Sequence, residues 1–393
     1  MHTVFDTTKG MKLTTFSTPS GVQECYFTLV SSEGLSFEDA ISELTDLYAA
    51  TLLENGLDES TLQFTRFYFS DITNDFNFLI NSDLFQKVSP GAVSFIQQGP
   101  LGGGPLGMLV YHIKSEIGSF RQNLFTNQKD YNSQKVCTAG KNYSILWCTN
   151  FTDNSSSDSA SQTRNIFSDY TKCLQWHKMD LRHNTIRTWI YVRDIDNNYA
   201  GMVKERRELF DKIGLTPQTR YIASTGIEGK SFDPHRLVSM DALNIGNIKE
   251  EQIIKMEALD NLSCTSVYGV TFDRGTRIRF GDRSHFYISG TASIDKNGNI
   301  LYESDVRKQL DRTIDNVEAL LEPHGAKLSD MMYLILYLRN PKHYSLLTDI
   351  LNKRIPDNVS LITVEGPVCR PGWLVEMEGV GIISDKTEYP PLL

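Results

Sequence analysis

The sequence predicts an α+β fold in which one ββαβαββ unit is used three times in tandem, forming an intramolecular pseudo-trimer. Three observations carry this. A helical start near Ser36, Ser159 and Asp305 is followed each time by a strand rich in aromatic and β-branched residues, at 64–69, 186–192 and 334–338. Each copy then ends on a related apolar stretch: Gly-Met-Leu-Val-Tyr-His-Ile (107–113), Leu-Val-Ser-Met-Asp-Ala-Leu-Asn-Ile (237–245) and Leu-Val-Glu-Met-Glu-Gly-Val-Gly-Ile (374–382). The order of elements between these landmarks is the same in all three. The expected divisions are 1–118 for the first unit, 119–139 for a connector, 140–250 for the second unit and 251–393 for the third, which holds the candidate active site.

Each unit opens with a strand pair. Glu-Cys-Tyr-Phe-Thr-Leu-Val-Ser-Ser ends at Glu33-Gly34, Tyr-Ser-Ile-Leu-Trp-Cys-Thr-Asn-Phe ends at Asp153-Asn154, and His-Phe-Tyr-Ile-Ser-Gly-Thr-Ala-Ser-Ile runs into the turn signal Lys-Asn-Gly-Asn (296–299). A helix follows, clearest in the third copy, where Val306, Leu310, Ile314, Val317, Leu320 and Leu321 recur at helical spacing between an N-cap at Asp305 and a stop at His324-Gly325. After the aromatic strand comes a shorter helix and then two more strands. The second unit carries an insertion around 205–219, and 114–139 and 246–266 read as polar connectors.

The composition bounds the function. The chain has 393 residues, 40% of them hydrophobic, and a net charge of −9 without a basic run, so no electrostatic footprint for nucleic acid is present. The longest apolar runs are of strand length, short of the roughly 18 residues that a membrane-spanning helix needs. Met-His-Thr-Val-Phe-Asp-Thr-Thr-Lys-Gly lacks a basic start and an apolar core, so no signal peptide is read and a cytoplasmic location is expected. Cys25, Cys137, Cys148, Cys173, Cys264 and Cys369 are scattered without a Cys-x-x-Cys pair, and the histidines show no ligand spacing, so neither a disulfide framework nor a metal site is expected.

Differences between the copies localise the chemistry. With the last strands aligned on Ile113, Ile245 and Ile382, Glu376 stands opposite Gly107 and Ser239, and Glu378 opposite Leu109 and Asp241. Only the third copy offers two carboxylates, roughly 7 Å apart on one strand face. A glutamate framed by Leu374 and Val380 would be partly desolvated, and its pKa would rise toward the range a general acid needs. The alternative is a solvated or arginine-paired strand glutamate. Cys369 lies in the turn entering this strand beside Arg370, which could lower its pKa or bind a carboxylate; a buried structural thiol is the other reading. Arg274, Arg277, Arg279 and Arg283 cluster before the third copy. In a strand, Arg277 and Arg279 would form a fork for a dicarboxylate, or else guard a solvated edge. Lys230 is a further anion-binding candidate. Tyr191, Tyr221 and Tyr268 could supply hydroxyls or simply pack. Pro-Leu-Gly-Gly-Gly-Pro-Leu-Gly (100–107) lacks Gly-Lys-Ser/Thr and precedes a strand, so it reads as a wide turn rather than a phosphate loop.

The third copy resembles the RidA/YjgF superfamily through Ser-Gly-Thr-Ala-Ser-Ile (289–294), the helix with Gln309, Leu310, Thr313, Ile314, Asn316 and Val317, His-Gly-Ala-Lys-Leu-Ser-Asp (324–330) and Leu-Val-Glu-Met-Glu (374–378). The resemblance implies RidA-like (chorismate-mutase-like) units whose three copies reproduce within one chain the superfamily's trimer, with ligand clefts between neighbours. Val-Cys-Arg-Pro-Gly-Trp-Leu-Val-Glu-Met-Glu-Gly (368–379), Trp-Ile-Tyr-Val-Arg-Asp-Ile-Asp (189–196) and Ala-Ser-Thr-Gly-Ile-Glu (223–228) are similar to segments of the chorismatases, which remove pyruvate from chorismate. That likeness implies Glu376 as general acid and places Cys369 with the subtype that forms 3-hydroxybenzoate. Carboxylates would be held by Arg370, Arg274, Arg277 and Arg279, with Tyr191, Tyr221 and Glu378 also in the site. It implies no cofactor, a small-molecule carboxylate substrate such as chorismate or a related cyclic enol-ether dicarboxylate, and a monomer able to associate further. The pattern departs from the family in one place: Arg207 and Phe210 are followed by Lys-Ile-Gly (212–214), without the arginine that ends the family motif. The carboxylate-binding arginine of small RidA deaminases is also missing from 360–364. A RidA-type imine or enamine deaminase and a non-catalytic metabolite-binding protein are the alternatives. Endoribonuclease activity, a label the superfamily sometimes bears, finds no support in the acidic composition.

Overall fold

The computed structural model describes all residues except 1, 7–9, 116–120, 126–130, 132 and 266–268, and only the backbone of 2–6 and 121–125. Tyr268 therefore lies outside the described residues. The first unit runs β1 (His2–Asp6), β2 (Met11–Ser17), β3 (Val22–Val30), α1 (Phe37–Asn55), β4 (Leu62–Phe69), α2 (Ile72–Ile80), α3 (Asp83–Val88), β5 (Ala92–Gln97) and β6 (Leu106–Ser115). The second runs β7 (Arg121–Phe125), β8 (Gln134–Ala139), β9 (Ser144–Thr152), α4 (Ser159–Trp176), α5 (Leu181–Asn184), β10 (Thr185–Val192), α6 (Ile195–Ile213), β11 (Ala223–Glu228) and β12 (Val238–Gly246). The third runs β13 (Ile253–Met256), β14 (Gly275–Arg279), β15 (Arg283–Ala292), α7 (Val306–Leu321), β16 (Met331–Leu338), α8 (Thr348–Arg354), β17 (Ser360–Glu365) and β18 (Val375–Ser384).

The three six-stranded sheets have one topology: β1-β2-β3-β6-β4-β5, β7-β8-β9-β12-β10-β11 and β13-β14-β15-β18-β16-β17. The ββαβαββ core is thus present three times, each preceded by one further edge strand. Two of these corrections fall on segments expected to be connectors. Residues 119–139 supply β7 and β8, and 246–266 supply β13; β7 and β13 are edge strands, which need only one hydrogen-bonded neighbour and can be short, while β8 is paired on both sides. In every sheet the aromatic strand carries a register shift at the same place, between Leu62 and Phe64, Thr185 and Arg187, and Met331 and Tyr333. These bulges set the copies in register. They align Arg66 with Trp189 and Ile335, and Leu109 with Asp241 and Glu378.

Central strands are buried along their whole length, with helices on one face and the neighbouring units on the other. In β4 the alternation is visible directly: Phe67 and Phe69 join the core beneath α1, while Phe64 and Tyr68 join the core shared by all three sheets. Three isolated bridges close the ring of units: Gln97 with Lys230, Ile227 with Val368, and Val364 with Pro100. Lys230 is consequently an interface residue by its backbone, not a ligand of the cavity described below. The third unit's helix behaves as its sequence predicts. Asp305 accepts from the Lys308 N–H at 3.1 Å, Val306, Leu310, Ile314, Val317, Leu320 and Leu321 are all buried, and a final 3-10 turn stops at Gly325 with φ +74°. Among the described residues no helix is long and apolar enough to cross a membrane.

Candidate active site

A cavity of about 340 Å³ lies between the second and third units, within the size range of small-molecule sites. Its second-unit wall is α6, through Tyr199, Ala200, Val203, Lys204 and Arg207, together with Ser224, Thr225 and Gly226 of β11. The third unit contributes Gly269, Val270, Phe272 and Arg274 before β14, Gly290, Ala292 and Ile294 from and after β15, and Cys369, Arg370, Trp373 and Glu376 around the start of β18.

Glu376 is the sole carboxylate among these residues, and it is 5% exposed. Burial pushes its carboxyl up to about 8; the neighbouring Glu378 carboxylate adds to this, and Arg274 and Arg187 oppose it less strongly. Its position depends on the glycine of the Ser-Gly-Thr-Ala segment. The register between β15 and β18 shifts between Ile288 and Thr291, so Gly290 sits in a bulge. A Cβ on Gly290 would lie 2.2 Å from Glu376 Oε1, so only glycine lets the carboxyl rest against this backbone. The Gly290 N–H is meanwhile taken by Thr225 Oγ1 at 2.9 Å.

Glu378 shares the strand but not the function expected of it. It is 1% exposed and accepts from Arg187 Nη2 at 2.6 Å, Trp189 Nε1 at 2.8 Å, Tyr337 Oη at 3.1 Å and the Thr225 hydroxyl. With these partners it joins the two units and does not line the cavity. Cys369 does line it, beside the Tyr199 phenol. Burial and then Glu376 push its thiol up to about 12, outweighing Arg370, so at neutral pH it is a neutral thiol rather than a nucleophilic thiolate.

The arginine fork is not there. Arg277 pairs with Asp385 at 2.8 Å and Arg279 lies over the Tyr389 ring, both facing the carboxy-terminal tail. Arg283 is fully buried against Glu24 at 2.5 Å and Asp282 at 2.7 Å. Arg274 alone of this cluster reaches the cavity, because it precedes the strand and turns inward, with its guanidinium on the Ser263 carbonyl. Arg370 also lines it, stacked over Trp373. Tyr191 and Tyr221 are both buried away from it: the Arg66 guanidinium sits over the Tyr191 ring, and Tyr221 packs on Phe210. The phenol at the site is Tyr199, which the sequence reading missed. Tyr199, Val203 and Arg207 follow one another at four-residue spacing on one helix face, a signal that points to a shared wall once α6 is known to face a neighbour. No group of three His, Cys, Asp or Glu side chains is placed to hold a metal ion among the described residues.

The quasi-equivalent clefts are filled. Between the first and second units Phe76 stacks on Phe232 with ring centroids 4.0 Å apart and meets Phe95 and Tyr131 edge-on. Between the third and first, the Pro100–Gly104 turn takes the place, with Gly102 closed on by Tyr344 and Gly103 by Val30.

Comparison with known proteins agrees with this layout. Residues 279–383 match the family described as Endoribonuclease L-PSP. A chorismatase crystal structure is similar over 91% of this chain and 98% of its own, with 16% identity and a TM-score of 0.60. RidA from an Antarctic Psychrobacter bacterium is similar over 33% of this chain and 99% of its own, with 16% identity and a TM-score of 0.28. A Rid-family protein of unknown function from Yersinia pestis, YyfA, covers the same shares with 21% identity and a TM-score of 0.29. The third unit thus matches the L-PSP family model over residues 279–383, and the chain shares its fold along nine tenths of its length with a chorismatase.

Proposed function

We propose that this protein is a chorismatase-like enzyme that releases pyruvate from chorismate or a related cyclic enol-ether dicarboxylate, with Glu376 as general acid. The observation that carries this reading is the Glu376 carboxyl, buried and raised to about 8 in a small cavity whose other charged lining residues, Lys204, Arg207, Arg274 and Arg370, are all cations. At neutral pH it holds a proton and can give it up. Protonation of the enol-ether methylene makes a methyl group and leaves an oxocarbenium carbon. Water adds to that carbon and returns a proton to the Glu376 carboxylate. The resulting hemiketal breaks its bond to the ring oxygen, releasing pyruvate and the ring alcohol. Arg274 and Arg370 hold carboxylates, and Trp373 and Phe272 offer flat apolar surface to a ring. Cys369, as a neutral thiol beside the acid, suits a role in shaping the pocket or steering the attack of a ring hydroxyl in place of water.

The deaminase alternative has no feature of the cavity in its favour. The strand lining this cleft, β11, offers Ser224, Thr225 and Gly226 where a carboxylate-binding arginine would stand. Purified protein incubated with chorismate is expected to release pyruvate, and Glu376→Gln to lower the rate by about 10²-fold or more. Release no faster than the spontaneous background would remove the proposal.

A further inference from the structure

Four arginines of this chain are among its largest fully buried side chains: Arg66, Arg187, Arg206 and Arg283. Three have a carboxylate partner from a neighbouring unit. Arg66 pairs with Asp241 at 3.0 Å, Arg187 with Glu378 at 2.6 Å and Arg283 with Glu24 at 2.5 Å. Arg206 has none among the described residues. Its Nε donates to Thr271 Oγ1 at 3.0 Å and its Nη1 to Ser224 Oγ at 3.3 Å, both neutral hydroxyls, and its Nη2 is buried without a partner. Taking a guanidinium out of water without a counter-charge is strongly unfavourable, so such a group in a folded protein calls for an anion.

Its place in the fold says where that anion comes from. Arg206 stands on α6 behind the cavity wall: Ser224, which it bonds, lines the cavity, and so do Tyr199 and Cys369, whose titration its charge influences. Glu376, the carboxylate in the wall, keeps its proton at neutral pH and cannot serve as the counter-charge. We propose that Arg206 is an anion-binding residue of this cavity, its counter-charge being a carboxylate of the ligand taken up beside Ser224, Tyr199 and Cys369. The second unit then holds one carboxylate through Arg206 and the third unit another through Arg274 and Arg370. This selects a dicarboxylate long enough to reach both walls.

The inference rests on reading the cavity as the substrate site but not on turnover, so the test is a binding measurement. Calorimetric titration of the full chain compares the diacid benzene-1,3-dicarboxylate with its monoamide, 3-carbamoylbenzoate, which keeps one carboxylate for Arg274 and Arg370. Wild type is expected to prefer the diacid by about tenfold or more, and Arg206→Met to reduce that preference to about twofold. Arg206→Lys covers the case in which the methionine variant does not fold. Losing the planar fork, it should weaken the diacid by about threefold or more while leaving the monoamide within about twofold. A wild type that does not prefer the diacid, a preference unchanged in Arg206→Met, or equal weakening of both probes in Arg206→Lys each overturns the inference. If the diacid preference behaves as expected but chorismate yields no pyruvate, the proposed reaction fails and the anion site stands.

Discussion

At the cleft between the second and third units a glycine makes room for a glutamate; at the same place between the first and second, an asparagine stands in the glycine's position and a serine in the glutamate's. Gly290 and Asn150 occupy equivalent bulge positions, two residues before the partners of Glu376 and Ser239, which are Ala292 and Thr152. The Asn150 side chain crosses the interface, accepting from the Phe95 N–H at 3.2 Å and donating to the Val93 carbonyl at 2.6 Å. Phe76, Phe232 and Tyr131 fill the space beyond it. Both interfaces keep the carboxylate two residues further along the strand. Asp241 accepts from Arg66 at 3.0 Å and Ser94 at 2.6 Å in one, and Glu378 from Arg187 and the Thr225 hydroxyl in the other. A carboxylate present in the filled cleft as well as the open one is a structural tie. What distinguishes the open cleft is Glu376 and the glycine that makes room for it.

That contrast can be broken from either side. The largest effect is expected at the filled cleft, where Phe76→Ala removes a buried ring and should cost about 3–5 kcal/mol in denaturant unfolding, while pyruvate release stays within about twofold of wild type. A matching loss of activity would mean that the two clefts are coupled. At the open cleft, Gly290→Ala drives a methyl group into the Glu376 carboxyl. Pyruvate release should fall by about 10²-fold, equivalent to about 2.7 kcal/mol, with the fold retained by circular dichroism. Unchanged activity would place the acid elsewhere. The smallest effect is the pH profile. On the proposed mechanism Glu376 acts in its protonated form, so the rate should lose its support as pH rises through about 8, falling about tenfold per unit above it. A profile flat to pH 10 would contradict a carboxyl acid of this kind.

Much of this was legible in the sequence because repeats expose their own exceptions. Aligning three related strands brought out the pair Glu376 and Glu378 without any contact information, the family resemblance chose Glu376 from it, and the bulge register supports that alignment residue by residue. The same argument reached Glu378 but could not see its four donors, since Arg187, Trp189 and Thr225 come from another unit more than 150 residues away. Arg277 and Arg279 do share a strand face, as alternation requires, but alternation does not say what that face looks at; here it is Asp385 and Tyr389. The wall from α6 was hidden for the same reason. Tyr199, Arg206 and Arg207 acquire meaning only when the helix of one unit is set against the strand of the next. The edge strands β1, β7 and β13, of five, five and four residues, are too short for an apolar alternation to stand out from connectors.

The cleft that Glu376 lines is shared by two units, yet both belong to one polypeptide. When such a site is assembled from separate subunits, dilution pulls it apart, and the rate per molecule falls with concentration. Here the loop between Gly246 and Ile253 links the two walls covalently and keeps their mutual effective concentration fixed. Specific activity should therefore be the same at nanomolar as at micromolar protein. The two filled clefts can serve as permanent joints, leaving the cleft of Glu376 free to specialise.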